Sequence, residues 1–178
     1  GATMSAGEEY AFSFTITNPG SGQESPSVSV EASGDAADYA ASAMTRDTET
    51  SVLGIAGGAS PLKVVEPVFT TKRITQSTPA SSASNVITVS ISPTLDLSGS
   101  ASAAITLTNL TGAVLGESVT LGAVTGGQSG EGLFCGASAD GTSGTAAWSA
   151  ESSSLVLRLC TGATMSAGEE YAFSFTIT

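Results

Sequence analysis

Histidine is absent from this 178-residue chain, and basic residues are scarce, with 5 Lys and Arg against 16 Asp and Glu. Without an imidazole, a serine nucleophile lacks its usual base and a metal site lacks a common ligand. The net charge of −11 disfavours binding to nucleic acid, whose phosphates attract basic patches, and electrostatic attachment to anionic lipid. We therefore expect no enzymatic activity, no cofactor, no metal and no nucleic-acid partner.

Long apolar runs are also missing. No stretch of about 18 apolar residues occurs, so we expect no insertion into a membrane. Charged residues make up only 12% of the chain, while serine and threonine are abundant. A surface of hydroxyl groups instead of charges suits a secreted, glycosylated protein, and we expect an extracellular or cell-surface location.

Only two cysteines are present, Cys135 and Cys160. They form no CxxC pair, and there is no histidine to complete a zinc site. A disulfide between them is the expectation, and it implies an oxidising compartment. Two buried free thiols are the alternative.

The most informative feature present is an internal repeat. Residues 1–17 read GATMSAGEEYAFSFTIT, and residues 162–178 read the same without a substitution. The offset is 162 − 1 = 161 residues, the size of a domain instead of a solenoid unit. We expect the sequence to be a window of a longer tandem polymer. An engineered or circularly permuted chain with a duplicated strand is the alternative.

Strand patterns dominate the chain. Apolar and hydroxyl side chains alternate at several short runs separated by Gly and Ser turns, a pattern typical of a β-sandwich. Two runs separated by residues 151–154 read as a hairpin around Trp148. Val28 and Val30 are expected to point inward, and residues 36–44 fit either a short helix or a loop. The fold class predicted is therefore all-β, an immunoglobulin-like β-sandwich repeat with an extended connector segment.

Proline and glycine suggest the boundaries. We expect residues 1–17 to be a strand that belongs to or completes the preceding repeat, residues 18–61 to be a connector with edge strands, and residues 62–178 to form the sandwich unit. The strand with the best character for donation to a neighbour has one apolar face, formed by Tyr10, Phe12, Phe14 and Ile16. The alternative is that this strand belongs to the sheet of its own domain.

Sites of glycan attachment form the clearest local motif. Asn109-Leu110-Thr111 is an acceptor sequon for N-glycosylation. The hydroxyl-rich stretch around Pro79 offers candidate O-glycosylation sites, at Thr75, Ser77, Thr78, Ser81 and Ser82. Plain turn chemistry is the alternative at each of them. Oxygen ligands for calcium are available at Glu31, Asp35 and Asp38. Their spacing matches no calcium loop, so we interpret them as solvated acids of a loop.

Four segments resemble large repetitive cell-surface proteins of algae and other aquatic protists. They are residues 69–79, 85–89, 105–112 and 171–178, and the likeness covers about residues 62–178 and 1–32. The resemblance implies an immunoglobulin-like sandwich repeated many times outside the cell. The perfect repeat is further similar to helical glycosylated fibrils of freshwater microbes.

Together these observations predict a structural subunit of an extracellular filament. The units would be joined by covalent tandem linkage, by β-strand complementation, or by both, with the chain itself and attached glycans as partners. The alternative function is an adhesin module that recognises carbohydrate or a cell surface.

Overall fold

Extended strands make up nearly all of the regular structure, as the alternating pattern predicts. The computed structural model describes residues 3–35, 37–99, 103–125 and 128–177. A single 3-10 turn at Glu131–Leu133 is the helical element within those ranges. The strands are β1 Ser29–Ala32, β2 Tyr39–Ala43, β3 Phe69–Gln76, β4 Asn85–Pro93, β5 Leu97–Ser98, β6 Ala104–Leu107, β7 Ser118–Thr120, β8 Gly122–Ala123, β9 Gln128–Ser129, β10 Thr145–Ser149, β11 Ser154–Arg158, β12 Thr164–Met165 and β13 Tyr171–Ile177.

The first main sheet, called sheet I here, has the strand order β3-β4-β13-β8. Its centre is the antiparallel pair β4 and β13, which are in register from Tyr171 opposite Ile91 to Ile177 opposite Asn85. The short strand β9 pairs in parallel with the start of β13. Residues 171–177, which lie in the segment that the sequence predicts to be a strand, are therefore central in a sheet.

The second main sheet, sheet II, has the order β6-β11-β10-β7. Strands β10 and β11 form the predicted hairpin, with Trp148 opposite Leu155 and Ser149 opposite Ser154. Trp148 itself is only partly buried, so it contributes less to the core than its size suggests.

The core lies between the two sheets. Sheet I contributes buried Val89, Ile91, Phe173 and Phe175, and sheet II contributes buried Ile105, Val119, Ala146, Leu155 and Leu157. Alternate residues of a strand point to the same face, so each sheet places one apolar row inward. The fold is thus an all-β sandwich, as predicted.

A disulfide and a close backbone approach at a glycine bring neighbouring segments of the sandwich together. Cys135 and Cys160 form the predicted disulfide, with a Cα–Cα distance of 5.0 Å. Next to it, a Cβ on Gly99 would collide with the backbone carbonyl oxygen of Cys160, so the close approach of these two segments needs glycine.

The first third of the chain stands apart from the core. Strands β1 and β2 pair with each other in a sheet of two strands, and all of their residues are exposed. Two predictions are wrong here. Residues 39–43 form a strand instead of a helix or loop, and Val28 and Val30 are exposed by 39% and 54% instead of pointing into a core. Apolar and polar residues do alternate here, but no other described segment packs against the apolar side.

Candidate assembly surface

The two copies of the repeated sequence form the same local turn. The backbone N–H of Ser5 donates a hydrogen bond to the hydroxyl of Tyr10 at 2.8 Å. The equivalent bond, from the N–H of Ser166 to the hydroxyl of Tyr171, measures 2.9 Å. Gly7 and Gly168 both have positive φ angles, of 82° and 78°. The turn is therefore encoded locally, since it forms in two different surroundings.

Beyond that turn the two copies differ completely in burial. In β13, Phe173 and Phe175 are 0% and 2% exposed. The equivalent side chains of the first copy, Phe12 and Phe14, are 87% and 76% exposed. We call residues 8–17 the ribbon. Tyr10 and Ile16 complete its apolar face and are also exposed.

The ribbon has no regular secondary structure and no strand partner among the residues that the structure describes. The rings of Phe12 and Phe14 stack on each other, with centroids 6.5 Å apart, and this leaves most of their surface in solvent. Burying the four apolar side chains Tyr10, Phe12, Phe14 and Ile16 would contribute about 6–10 kcal/mol before entropy is subtracted. Soluble proteins seldom expose such a face unless it binds something.

The hydroxyl of Tyr10 is polarised by its turn. The backbone N–H of Ser5, and then its side chain, donate toward the phenol oxygen and lower the pKa of Tyr10. These bonds hold the first aromatic ring of the ribbon in a fixed orientation relative to the turn.

The segment between the ribbon and the sandwich is anchored at its base. Gln23 and Val64 form an antiparallel bridge, and the guanidinium of Arg46 donates to the carbonyl of Ser25 at 2.6 Å. The N–H of Asp96 donates to the carbonyl of Leu53 at 3.0 Å. The carboxylate of Asp96 also accepts from the N–H of Ala167 at 2.8 Å, so the base of this segment touches the turn that precedes β13.

A loop within that base is organised by Asp47. Its Oδ1 atom accepts hydrogen bonds from the backbone N–H groups of Glu49 and Thr50, at 3.0 and 2.8 Å. The side-chain and backbone hydrogen bonds of Thr50, followed by the backbone of Glu49, lower the pKa of Asp47. The hydroxyl of Ser60 donates to the Asp47 carbonyl and closes the loop.

Strand β3 presents an open edge. It pairs with β4 on one side, and no described strand pairs with its other side. Lys72, Arg73 and Ile74 lie in the middle of this edge and are exposed. An open edge presents unpaired N–H and C=O groups to which another strand can add.

The N-glycosylation sequon lies on the surface at the end of β6. Asn109 is exposed and has a φ of 61°, a left-handed conformation that asparagine tolerates better than most residues. Thr111 is exposed as well. This placement is accessible to a glycosyltransferase, and the attachment itself stays a prediction.

The candidate O-glycosylation sites fall into two groups. Ser77 and Thr78 take part in turn hydrogen bonds, because the Ser77 hydroxyl accepts from the N–H of Val86 and the Thr78 hydroxyl accepts from the N–H of Ala80. Thr75, Ser81 and Ser82 are exposed. The hydroxyls of Ser77 and Thr78 therefore have a role in the turn, as the alternative interpretation expects, and glycosylation at all five positions stays a prediction.

The acids considered for calcium do not assemble into a metal centre in the described part of the chain. Glu31, Asp35 and Asp38 lie on or near the β1–β2 hairpin, but no group of three potential metal ligands is found among the described residues. Within the same residues, no helix has the length and hydropathy needed to cross a membrane.

Comparisons with protein families, with curated proteins and with solved structures return no match to this chain. The repeat, the ribbon and the sandwich are therefore the features of the chain that bear on its function.

Sequence reasoning identified the ribbon but missed two parts of this surface. The open edge of β3 was not singled out, although adjacent basic residues in a strand pattern, Lys72 and Arg73, are a common mark of an edge strand. The β1–β2 hairpin was missed because six residues, 33–38, separate its strands, instead of the two that give the clearest hairpin signal.

Proposed function

We propose that the chain is a structural subunit of an extracellular filament, in which one copy of the repeated 17-residue sequence completes the sandwich of a neighbouring unit. The observation that supports this proposal is the contrast between Phe173 and Phe12. The phenylalanine is 0% exposed in β13 and 87% exposed in the ribbon, although the sequence around it is the same.

The β13 position shows what the repeated sequence binds. There it pairs with β4 along seven residues and packs Phe173 against Phe134, with ring centroids 5.4 Å apart. A ribbon from another unit has the same side chains in the same order. It is therefore complementary to any sandwich whose β13 position is empty.

This complementarity has two consequences for a repeating polymer. In a covalent tandem, each copy of the sequence is the last strand of one sandwich and is followed by the segment that leads to the next. In separate chains, the ribbon of one chain fills the β13 position of the next. Both give the same filament contacts, because the strand and its surroundings are identical.

The disulfide and the exposed candidate glycosylation sites support a location outside the cell. A disulfide persists in an oxidising compartment. The exposed sequon at Asn109 and the exposed hydroxyls at Thr75, Ser81 and Ser82 are available to glycosyltransferases of the secretory route. The filament proposed is therefore glycan-decorated.

Two 161-residue versions of the chain test the proposal. Residues 18–178 keep β13 and lack the ribbon, so this version should be a monomer in sedimentation velocity. Residues 1–161 keep the ribbon and lack β13, so this version should form linear polymers that are visible by negative-stain electron microscopy. Addition of a synthetic peptide of residues 162–178 should cap the polymers and shorten them.

A monomeric 1–161 version would contradict the proposal, since its ribbon would then fill the β13 position of its own sandwich. A folded, monomeric protein that binds immobilised glycans would instead favour the adhesin function.

A further inference from the structure

We propose that the open edge of β3 binds the ribbon of a second copy of this chain and adds it to sheet I as a further strand. The inference rests on the proposed function, in which the ribbon joins units. It goes beyond it because in the 178-residue chain the β13 position is already filled by residues 171–177, so the ribbon needs a different receptor.

The backbone of β3 is suitably oriented for this pairing. The N–H of Ser77 donates to the carbonyl of Val86 at 2.9 Å, so Ser77 directs its backbone groups toward β4. Along an antiparallel pair this direction alternates with each residue. Lys72, Ile74 and Gln76 therefore direct their N–H and C=O groups away from β4, toward the open edge.

The side chains of β3 continue the inner face of sheet I. Phe173 lies opposite Val89, and Val89 lies opposite Ile74, so these three side chains form one row across the sheet. The first two are buried, at 0% and 2% exposure, whereas Ile74 is 54% exposed. An apolar strand added beside β3 would cover Ile74 and extend this row by one residue.

Charge favours the ribbon over other strands of the protein. Lys72 and Arg73 are two of only five basic residues in the chain, and both lie on this edge. The ribbon begins with Glu8 and Glu9. Two copies of net charge −11 repel each other overall, so contact is favoured where a basic edge meets the acidic end of a ribbon.

One parallel register satisfies both the charge pairing and the match of the apolar faces. If Glu8 lies beside Lys72, then Glu9 lies beside Arg73 and Tyr10 lies beside Ile74. Because side chains alternate between faces, the apolar face of the ribbon then falls on the same side of the sheet as Ile74. The hydroxyl face of the ribbon falls on the side of Arg73 and Thr75.

The same sequence already reaches β3 from the other side. In β13 the residue equivalent to Glu9 is Glu170, and its carboxylate accepts a hydrogen bond from the hydroxyl of Thr71 at 3.5 Å. A groove between β7 and β13, lined by Val119, Gly122 and Phe175, is a second candidate receptor. Its lining contains no basic residue to match Glu8 and Glu9.

A charge exchange in the full 178-residue chain tests the inference. Self-association is measured by sedimentation velocity at low ionic strength. The reversal Lys72→Glu with Arg73→Glu should weaken it by about tenfold or more, and adding Glu8→Lys with Glu9→Lys should restore it. Failure of the second pair to restore association would overturn the inference.

A backbone variant gives an independent test. Ile74→Pro removes an N–H that points to the open edge, and proline is tolerated at such edge positions. It should abolish association, whereas the matched control Ile74→Val should keep it. If Ile74→Pro fails to fold, as judged by its circular dichroism, the charge exchange alone decides.

The two proposals fail separately. Unchanged association of both β3 variants, together with polymers from residues 1–161, would overturn the β3 receptor and leave the proposed function standing. Polymers of residues 1–161 that disappear with Lys72→Glu and Arg73→Glu, as the association of the full chain does, would overturn the β13-filling function and leave the β3 contact.

Discussion

The ring of Phe173 packs edge-on against the ring of Phe134, with centroids 5.4 Å apart and planes inclined by 70°. This contact links the central strand of sheet I to the segment that carries the disulfide. Phe12, the equivalent residue of the first copy, contacts the ring of Phe14 instead and lies in solvent. The sequence around the two phenylalanines is identical, so only tertiary surroundings distinguish them.

The same substitution should therefore affect stability at Phe173 and self-association at Phe12. Phe173→Asp places a charge in the core and should lower the free energy of unfolding by at least about 4 kcal/mol, most of the stability of a marginal domain. Phe12→Asp should leave the melting temperature of the full chain within about 2 °C and reduce its self-association. Differential scanning calorimetry and sedimentation velocity on both variants measure the two effects. A stability loss at Phe12 equal to that at Phe173 would show that the ribbon is buried in solution.

The sandwich was predictable because its information is local. The alternation of Val89 and Ile91 with hydroxyl residues, and the spacing of β10 and β11, define strands without any knowledge of the partner. The disulfide was expected because Cys135 and Cys160 form no CxxC pair and no histidine is present to complete a zinc site, with two free thiols as the alternative. These parts of the fold agree with the sequence.

One failed prediction concerns secondary structure, at residues 39–43, and the other concerns burial, which is not a local property. Val28 and Val30 alternate as strand residues do, but alternation shows only that one face is apolar, not that something covers it. The ribbon makes the same point, since one sequence yields both Phe12 and Phe173. The alternation in a strand therefore predicts which face is apolar. Whether that face is buried depends on another part of the chain or on another copy.

The disulfide between Cys135 and Cys160 should stabilise the sandwich to a measurable extent. The two residues are 25 positions apart, and the entropy lost by the unfolded chain corresponds to about 3 kcal/mol. The double variant Cys135→Ala with Cys160→Ala should lose about that much free energy of unfolding in urea titrations. Reduction of the wild-type chain should produce the same loss, and reduction of the double variant should produce none. A stability loss on reduction of the double variant would show that reductant acts on something other than this bond.

The sequon at Asn109 should carry an N-glycan when the chain is secreted from a eukaryotic host. Intact-mass spectrometry should show a glycan that peptide N-glycosidase removes. Thr111→Ala should abolish it, whereas the matched variant Thr111→Ser keeps the sequon and should keep the glycan. Equal masses for the Ala and Ser variants, apart from the substitution itself, would contradict the prediction.

The loop held by Asp47 should open as the solution becomes acidic. Hydrogen bonds from Thr50 and Glu49 lower the pKa of Asp47 in the folded chain, so the ionised form is the one that folding favours. The contribution of Asp47 to stability is thus fully present above its unfolded pKa of about 3.9, and it is lost as pH falls through the lower folded value.

The effect should be confined to the base of the segment that carries the ribbon. In pH titrations by NMR, the amide protons of Glu49 and Thr50 should shift and lose protection relative to their intrinsic exchange rates below about pH 4, whereas those of β13 should stay protected. Asp47→Asn keeps the acceptor oxygen but cannot ionise, so its Glu49 and Thr50 amides should lose this titration. Because Leu53 in this loop accepts the N–H of Asp96, whose carboxylate accepts the N–H of Ala167, loosening at Asp47 should next reach the turn before β13. Simultaneous loss of protection at Thr50 and Phe173 would mean that the loop and the sandwich unfold as one unit, contrary to this expectation.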